Sequence, residues 1–140
     1  MDPKTPIAPL DPFELVRRRP AMFAPADKSS LRAFAEAIAA DAAVLGARDI
    51  TIKEWKDWIA VCSSDDWIGE AAATIFKRLE PFPHRINDCR AESIAFAFAT
   101  AMCLNRSGEG LVWAKPASPE KAPPGDLPTL PPTFLAFQLA

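Results

Sequence analysis

Fifteen prolines cut this chain into short lengths and set the limits of every regular element it can form. Proline lacks the N–H that a helix interior or a sheet ladder needs, and it disfavours helical geometry in the residue before it. Four prolines fall at positions 3, 6, 9 and 12, so residues 1–12 read as an extended arm. Seven more, with one glycine, lie between Pro116 and Pro132, which marks that stretch as a loop or strap. Residues 13–140 are long enough to bury one modest core, and they are expected to form a single domain interrupted by that loop.

Hydrophobic spacing between the prolines gives the elements. Asp11 can cap a short helix whose first residue is Pro12, and Pro20 ends it. Arg17, Arg18 and Arg19 then form its last turn, where cations favour the negative end of the helix dipole. Leu31, Phe34, Ala35, Ile38, Ala42 and Leu45 share one face of a longer helix that Gly46 can close. Ile50 and Ile52 alternate with polar residues, as do Ile59 and Val61 among small ones. This pattern predicts a hairpin turning near Trp55–Asp57. A helix through EWKDWIAV is the rival, since Trp55, Trp58 and Ile59 also suit helical spacing. Ile68, Ala72, Ile75, Phe76 and Leu79 predict another helix before Pro81. AESIAFAFATAMCLN fits both periods; its length and alanines favour helix, with Asn87 or Asp88 as cap. GLVWA and TFLAFQL read as strands. Helices and a hairpin without regular βαβ alternation predict an α+β fold, with helices on one face of an antiparallel or mixed sheet.

Charge narrows the partners. Eighteen acidic and 16 basic residues give a net charge of -2 and a pI near 5.4, which argues against nucleic acid and against an anionic membrane surface. The longest apolar run, near IAFAFATAMCL, is too short to cross a bilayer as a helix. MDPKTPIAPLDP has no apolar core of a signal peptide, so a cytoplasmic location is expected. Cys62, Cys89 and Cys103 show no C-x-x-C spacing and read as free thiols. His84 is the only histidine, too few for a zinc site, and no metal or other cofactor is expected. His84 and Cys89 are near neighbours in sequence, but nothing supplies the third group of a nucleophilic arrangement.

Residues 16–23, VRRRPAMF, carry a resemblance. The string Arg18, Arg19, Pro20, Ala21, Met22, Phe23 resembles the lead-in of the gyrase B-type ATPase domain of the GHKL superfamily, where Arg-Pro-Gly-Met-Tyr precedes a long helix. The order of elements over residues 13–70 is also similar: a helix, a hairpin, an Asp-containing loop and a further helix. The resemblance implies a GHKL-like frame in which the arginines are a structural lead-in. It also implies that the ATPase site is gone. Glu36 matches the family's general base, yet Ala40 stands where a magnesium-binding asparagine belongs. DDWIG keeps Asp65 and Gly69 of the adenine-reading motif but places Trp67 at its first glycine, and no glycine-rich phosphate lid exists.

The surface must then carry the activity. Trp55 and Trp58 lie among Lys53, Glu54, Lys56 and Asp57, the amphipathic setting of an exposed edge, and tryptophan is enriched at interface hot spots. Glu54, Asp57, Asp65 and Asp66 would add an acidic rim for a basic partner. Buried core tryptophans and a solvated acidic face are the plainer account of the same residues. The leading expectation is a protein-binding module without catalysis. Its sharper form is a bacterial immunity or inhibitor protein that docks on a toxin or enzyme. The alternative is nucleotide or small-ligand binding in a degenerate pocket formed by Glu36, Asp65 and Gly69. Nucleic-acid binding through Arg17, Arg18, Arg19 and Arg32 ranks last because of the acidic balance.

Overall fold

The computed structural model describes residues 11–18, 31–55, 57–83, 89–117 and 130–139. The expected arm up to residue 10, Arg19 to Phe23 of the lead-in, His84, the caps Asn87 and Asp88, and most of the 116–132 loop lie outside these residues. Along the described chain run α1 (Pro12–Arg18), α2 (Leu31–Val44), β1 (Thr51–Glu54), β2 (Ile59–Ser63), a 3-10 turn (Gly69–Ala73), α3 (Ala91–Phe98), β3 (Ala99–Asn105), β4 (Leu111–Lys115) and β5 (Thr133–Leu139).

The helix ends follow from local chemistry. Asp11 Oδ1 accepts the Phe13 N–H at 3.0 Å, so Asp11 caps α1 and Pro12 belongs to the helix, not to the arm. At the far end of α2, Gly46 adopts φ +92°, which an L side chain rarely tolerates. The N–H of Ala47 reaches back to Ala42 O at 3.0 Å and that of Gly46 to Ala43 O at 3.1 Å, the paired closure of a left-handed cap.

The five strands form one sheet in the order β1-β2-β5-β3-β4, and every neighbouring pair is antiparallel. Ile52 pairs with Val61 and Glu54 with Ile59, while Trp55 N–H donates to Trp58 O at 2.8 Å, so the 50–63 segment is the hairpin. Alternation sorts each strand between two faces. Ile59, Val61, Met102, Leu104, Leu135 and Phe137 turn toward Phe34, Ile38 and Ala42 of α2 and Ala95 of α3. Ala60, Cys62, Ala101, Cys103, Phe134 and Ala136 turn the other way, joined by Trp58. The helices thus cover one face.

Two expectations are corrected. The stretch 68–79 is not an α-helix; it is a 3-10 turn followed by further turns. Asp66 Oδ1 takes the N–H groups of Ile68 and Gly69, Gly69 sits at φ +57°, and the Ser93 hydroxyl draws the Ile75 carbonyl at 2.7 Å, which diverts it from the helical ladder. The apolar stripe still works, because Ile68 and Ile75 are buried. The second correction is in 91–105, which is half helix and half strand. Its α3 stops at Phe98 without a turn because two cations from elsewhere take its last carbonyls. Arg17 Nη1 donates to Ala97 O at 3.2 Å, and Lys115 Nζ donates to Phe96 O and to Ala99 O.

Candidate functional site

The loop between β2 and the 3-10 turn is held from three sides. Asp65 accepts the backbone N–H of Arg48 at 2.8 Å and a two-pronged guanidinium contact at 3.1 Å. These bonds, the side-chain one foremost, hold its carboxyl below the usual range. Asp66 binds the Arg106 guanidinium at 2.7 Å as well as the loop amides. Partial burial pushes its carboxyl up, but the bonds from Arg106, Gly69 and Ile68 outweigh that and leave it lowered. Beneath the loop the Trp67 indole is buried and donates to Glu92 Oε1 at 2.8 Å.

Glu92 in turn pairs with Arg90 inside the protein, their side chains 0% and 4% exposed. Arg90 also donates to the carbonyls of Trp67 and Ile68, and Asp41 of α2 accepts the Ala91 N–H at 3.0 Å, capping α3 from a neighbouring helix. A buried ion pair of this kind needs such extra bonds to offset the desolvation of both charges. Its donors and acceptors are engaged with one another, so the cluster fastens the loop to α3.

The residues of the degenerate pocket do not converge. Asp65 sits past the end of β2 where Thr51 pairs with Cys62, beside Arg48. Glu36 belongs to the other end of the hairpin: it binds Arg32, and Arg32 binds Glu54 at 3.1 Å. Trp67, which stands at the motif's first glycine, is buried and bonded to Glu92. Among the described residues no group of three or more His, Cys, Asp or Glu gathers as a metal site, and no helix is long and apolar enough to cross a membrane.

The expected interface residues divide. Trp58 is only 2% exposed, which corrects the exposed-edge expectation: alternation turns it onto the second sheet face, where its ring meets Trp113 edge-on at 6.0 Å. Trp55 is half-buried against the same cluster, and Asp57 is exposed. Glu54, Asp65 and Asp66 are each neutralised by an arginine, so the acidic rim carries less net charge than its residues suggest. Arg17 and Arg18 both bind Glu14, and Arg17 caps α3.

One surface was missed. β4 is an edge strand, and Leu111, Val112 and Trp113 are 43%, 64% and 38% exposed in succession. Leu104 faces Val112 across the pair and Cys103 faces Trp113, so the exposed side chains lie on both faces of the sheet. Natural edges are commonly guarded by a lysine. Lys115 is the only charged residue of β4, and its ammonium is folded back over the Phe96 ring onto the end of α3. Burial there lowers its pKa. A shallow cavity of about 170 Å³ opens beside the strand, lined by Leu104, Arg106, Glu109, Gly110 and Val112. Three large apolar residues between Gly110 and Pro116 were the available signal. Comparison with protein-family models, with curated proteins and with solved structures yields no match to this chain.

Proposed function

We propose that the protein is a docking module without catalysis and that it binds a partner protein through the β4 edge. The observation that carries this reading is the run Leu111–Val112–Trp113, apolar and open on both sheet faces, beside a lysine whose charge is spent inside the fold. An added strand would satisfy the outer backbone groups of β4 and cover those side chains, with the adjoining cavity to receive one residue of the partner. The sharper form, a bacterial immunity or inhibitor protein acting on a toxin or enzyme, belongs to the same proposal, as does descent of its frame from the gyrase-type ATPase domain. That ancestry rests on the Arg-Pro-x-Met-aromatic string.

Affinity capture with the wild-type chain and with Val112→Lys, in the cells that make it, tests the reading. The wild type is expected to retain a partner that Val112→Lys loses while its melting temperature is unchanged. Equal retention by both chains would remove β4 from the interface. A captured enzyme or toxin whose activity falls in the complex would establish the sharper form.

A further inference from the structure

We infer that the cavity beside β4 receives the side chain of a lysine or arginine from the docking segment, and that Glu109 selects it. The inference rests on the reading of β4 as the docking edge and gives the partner its chemistry.

The cavity lies where β3 turns into β4. Leu104 and Val112 pair across the two strands, so their side chains share one face, the face on which Leu104 packs with α2 and α3. Leu104 is buried and Val112 stands open, which makes an apolar wall with a free outer side. At about 170 Å³ the space falls short of the roughly 300–1,000 Å³ of a small-molecule site and suits one long side chain. β4 keeps regular pairing from Leu111 to Trp113 and shifts register before Lys115, so the cavity adjoins the regular part of the edge.

Charge selects the side chain. Arg106 lines the cavity, but its Nε and Nη2 both donate to Asp66 Oδ2, at 3.0 and 2.7 Å, so its charge is balanced from within. Glu109 lines the cavity too and is exposed, and its carboxylate has no hydrogen bond or ion pair among the described residues. Asp66 foremost, and Glu109 through its field, hold the proton on Arg106 more firmly, which sets the Glu109 carboxylate near that guanidinium without contact. The local balance is one negative charge beside an apolar wall. An acidic side chain would meet Glu109 and find Arg106 already bound. A wholly apolar one would cover the wall and leave the carboxylate unmatched. Lysine or arginine lays its stem along Leu104 and Val112 and brings its charge to Glu109.

The turn that carries Glu109 is fixed before anything docks. Ser107 N–H donates to Thr133 Oγ1 at 3.0 Å, Gly108 N–H to Pro132 O at 2.9 Å, Glu109 N–H to Arg106 O at 3.0 Å and Gly110 N–H to Asn105 Oδ1 at 3.3 Å. Such preorganisation lowers the ordering cost of binding. An exposed ion pair adds little by itself, so Glu109 sets a preference of about two- to fivefold and the edge supplies the rest.

Nuclear magnetic resonance titration of isotope-labelled protein with capped peptides Thr-Val-X-Val-Thr tests this, with X as lysine, as norleucine (apolar, of similar stem length) or as glutamate. The lysine peptide should move the amides of residues 109–113 and bind about two- to fivefold more tightly than the norleucine peptide, with the glutamate peptide weakest. Molar salt should erase the advantage of lysine. Glu109→Gln should bring the lysine and norleucine peptides level while leaving norleucine binding unchanged. Equal binding of those two peptides by the wild type, or an advantage of lysine that survives Glu109→Gln, overturns selection by Glu109 and leaves the docking edge standing. No movement at 111–113 with any of the three peptides overturns the cavity and the docking edge together.

Discussion

On the helix side of the sheet β2, β3 and β5 present Ile59, Val61, Met102, Leu104, Leu135 and Phe137, and two helices rest on them; on the far side the same strands present Ala60, Cys62, Ala101, Cys103 and Ala136, with Phe134 the one large side chain among them. Both sets are buried. Large side chains fill the gaps beneath round helices, whereas the small ones around Phe134 let the Trp58–Trp113 pair and the half-buried Trp55, Ala117 and Leu130 approach closely. One face is therefore sensitive to lost volume and the other to added volume. Alternation on a single strand places the two regimes one residue apart.

Phe137→Ala should be the most damaging test of this contrast. It opens a cavity under α2 and should cost about 3–5 kcal/mol in urea unfolding. A loss below about 1 kcal/mol would mean the helix face is not closely packed. Its neighbour Ala136 points the opposite way, and Ala136→Leu should cost about 1–3 kcal/mol by overpacking. Unchanged stability there would show room over the small-residue face and break the comparison.

Protonation sharpens it further. Burial pushes the Cys103 thiol up from 9.0 to about 12. The unfolded chain therefore loses this proton first as pH rises. The resulting stability is complete below pH 9 and is lost between pH 9 and about 12, the loss by pH 10 being about 1.4 kcal/mol. Melts at pH 8 and pH 10 should show that fall in the wild type and a smaller one in Cys103→Ala. The smallest effect concerns Gln138, buried near the end of β5, whose Oε1 has no hydrogen-bond partner among the described residues. Gln138→Met should raise stability by up to about 1 kcal/mol, since no bond to that oxygen is lost. A decrease would show that the amide is held.

The legible parts were those where one short stretch carries its own instruction. The stripe Phe34, Ala35, Ile38 with Gly46 after it names α2 and its closure, and alternation at 50–61 and 133–139 names strands. The run 91–105 defeats that logic because both periods are satisfied. What ends α3 comes from Arg17 and Lys115, far off in sequence. The 3-10 turn likewise depends on Ser93 reaching Ile75 O. Site residues were harder. Trp58 looked exposed because its neighbours are charged, yet its burial depends on which face the hairpin turns inward. That GLVWA is a strand could be read; that it is an edge depends on the order β1-β2-β5-β3-β4, which no local pattern encodes.

That order has a consequence for assembly. β5, last in sequence, occupies the middle of the sheet, between β2 and β3. Until residues 133–139 are made and inserted, the β1–β2 and β3–β4 hairpins are separate halves, each with a bare inner edge. The sheet must then be completed by a wedge that arrives late, from contacts distant along the chain, and its folding should be slow beside that of a helical bundle of equal length. A nascent chain of this protein is exposed to mispairing at two inner edges that the finished molecule hides.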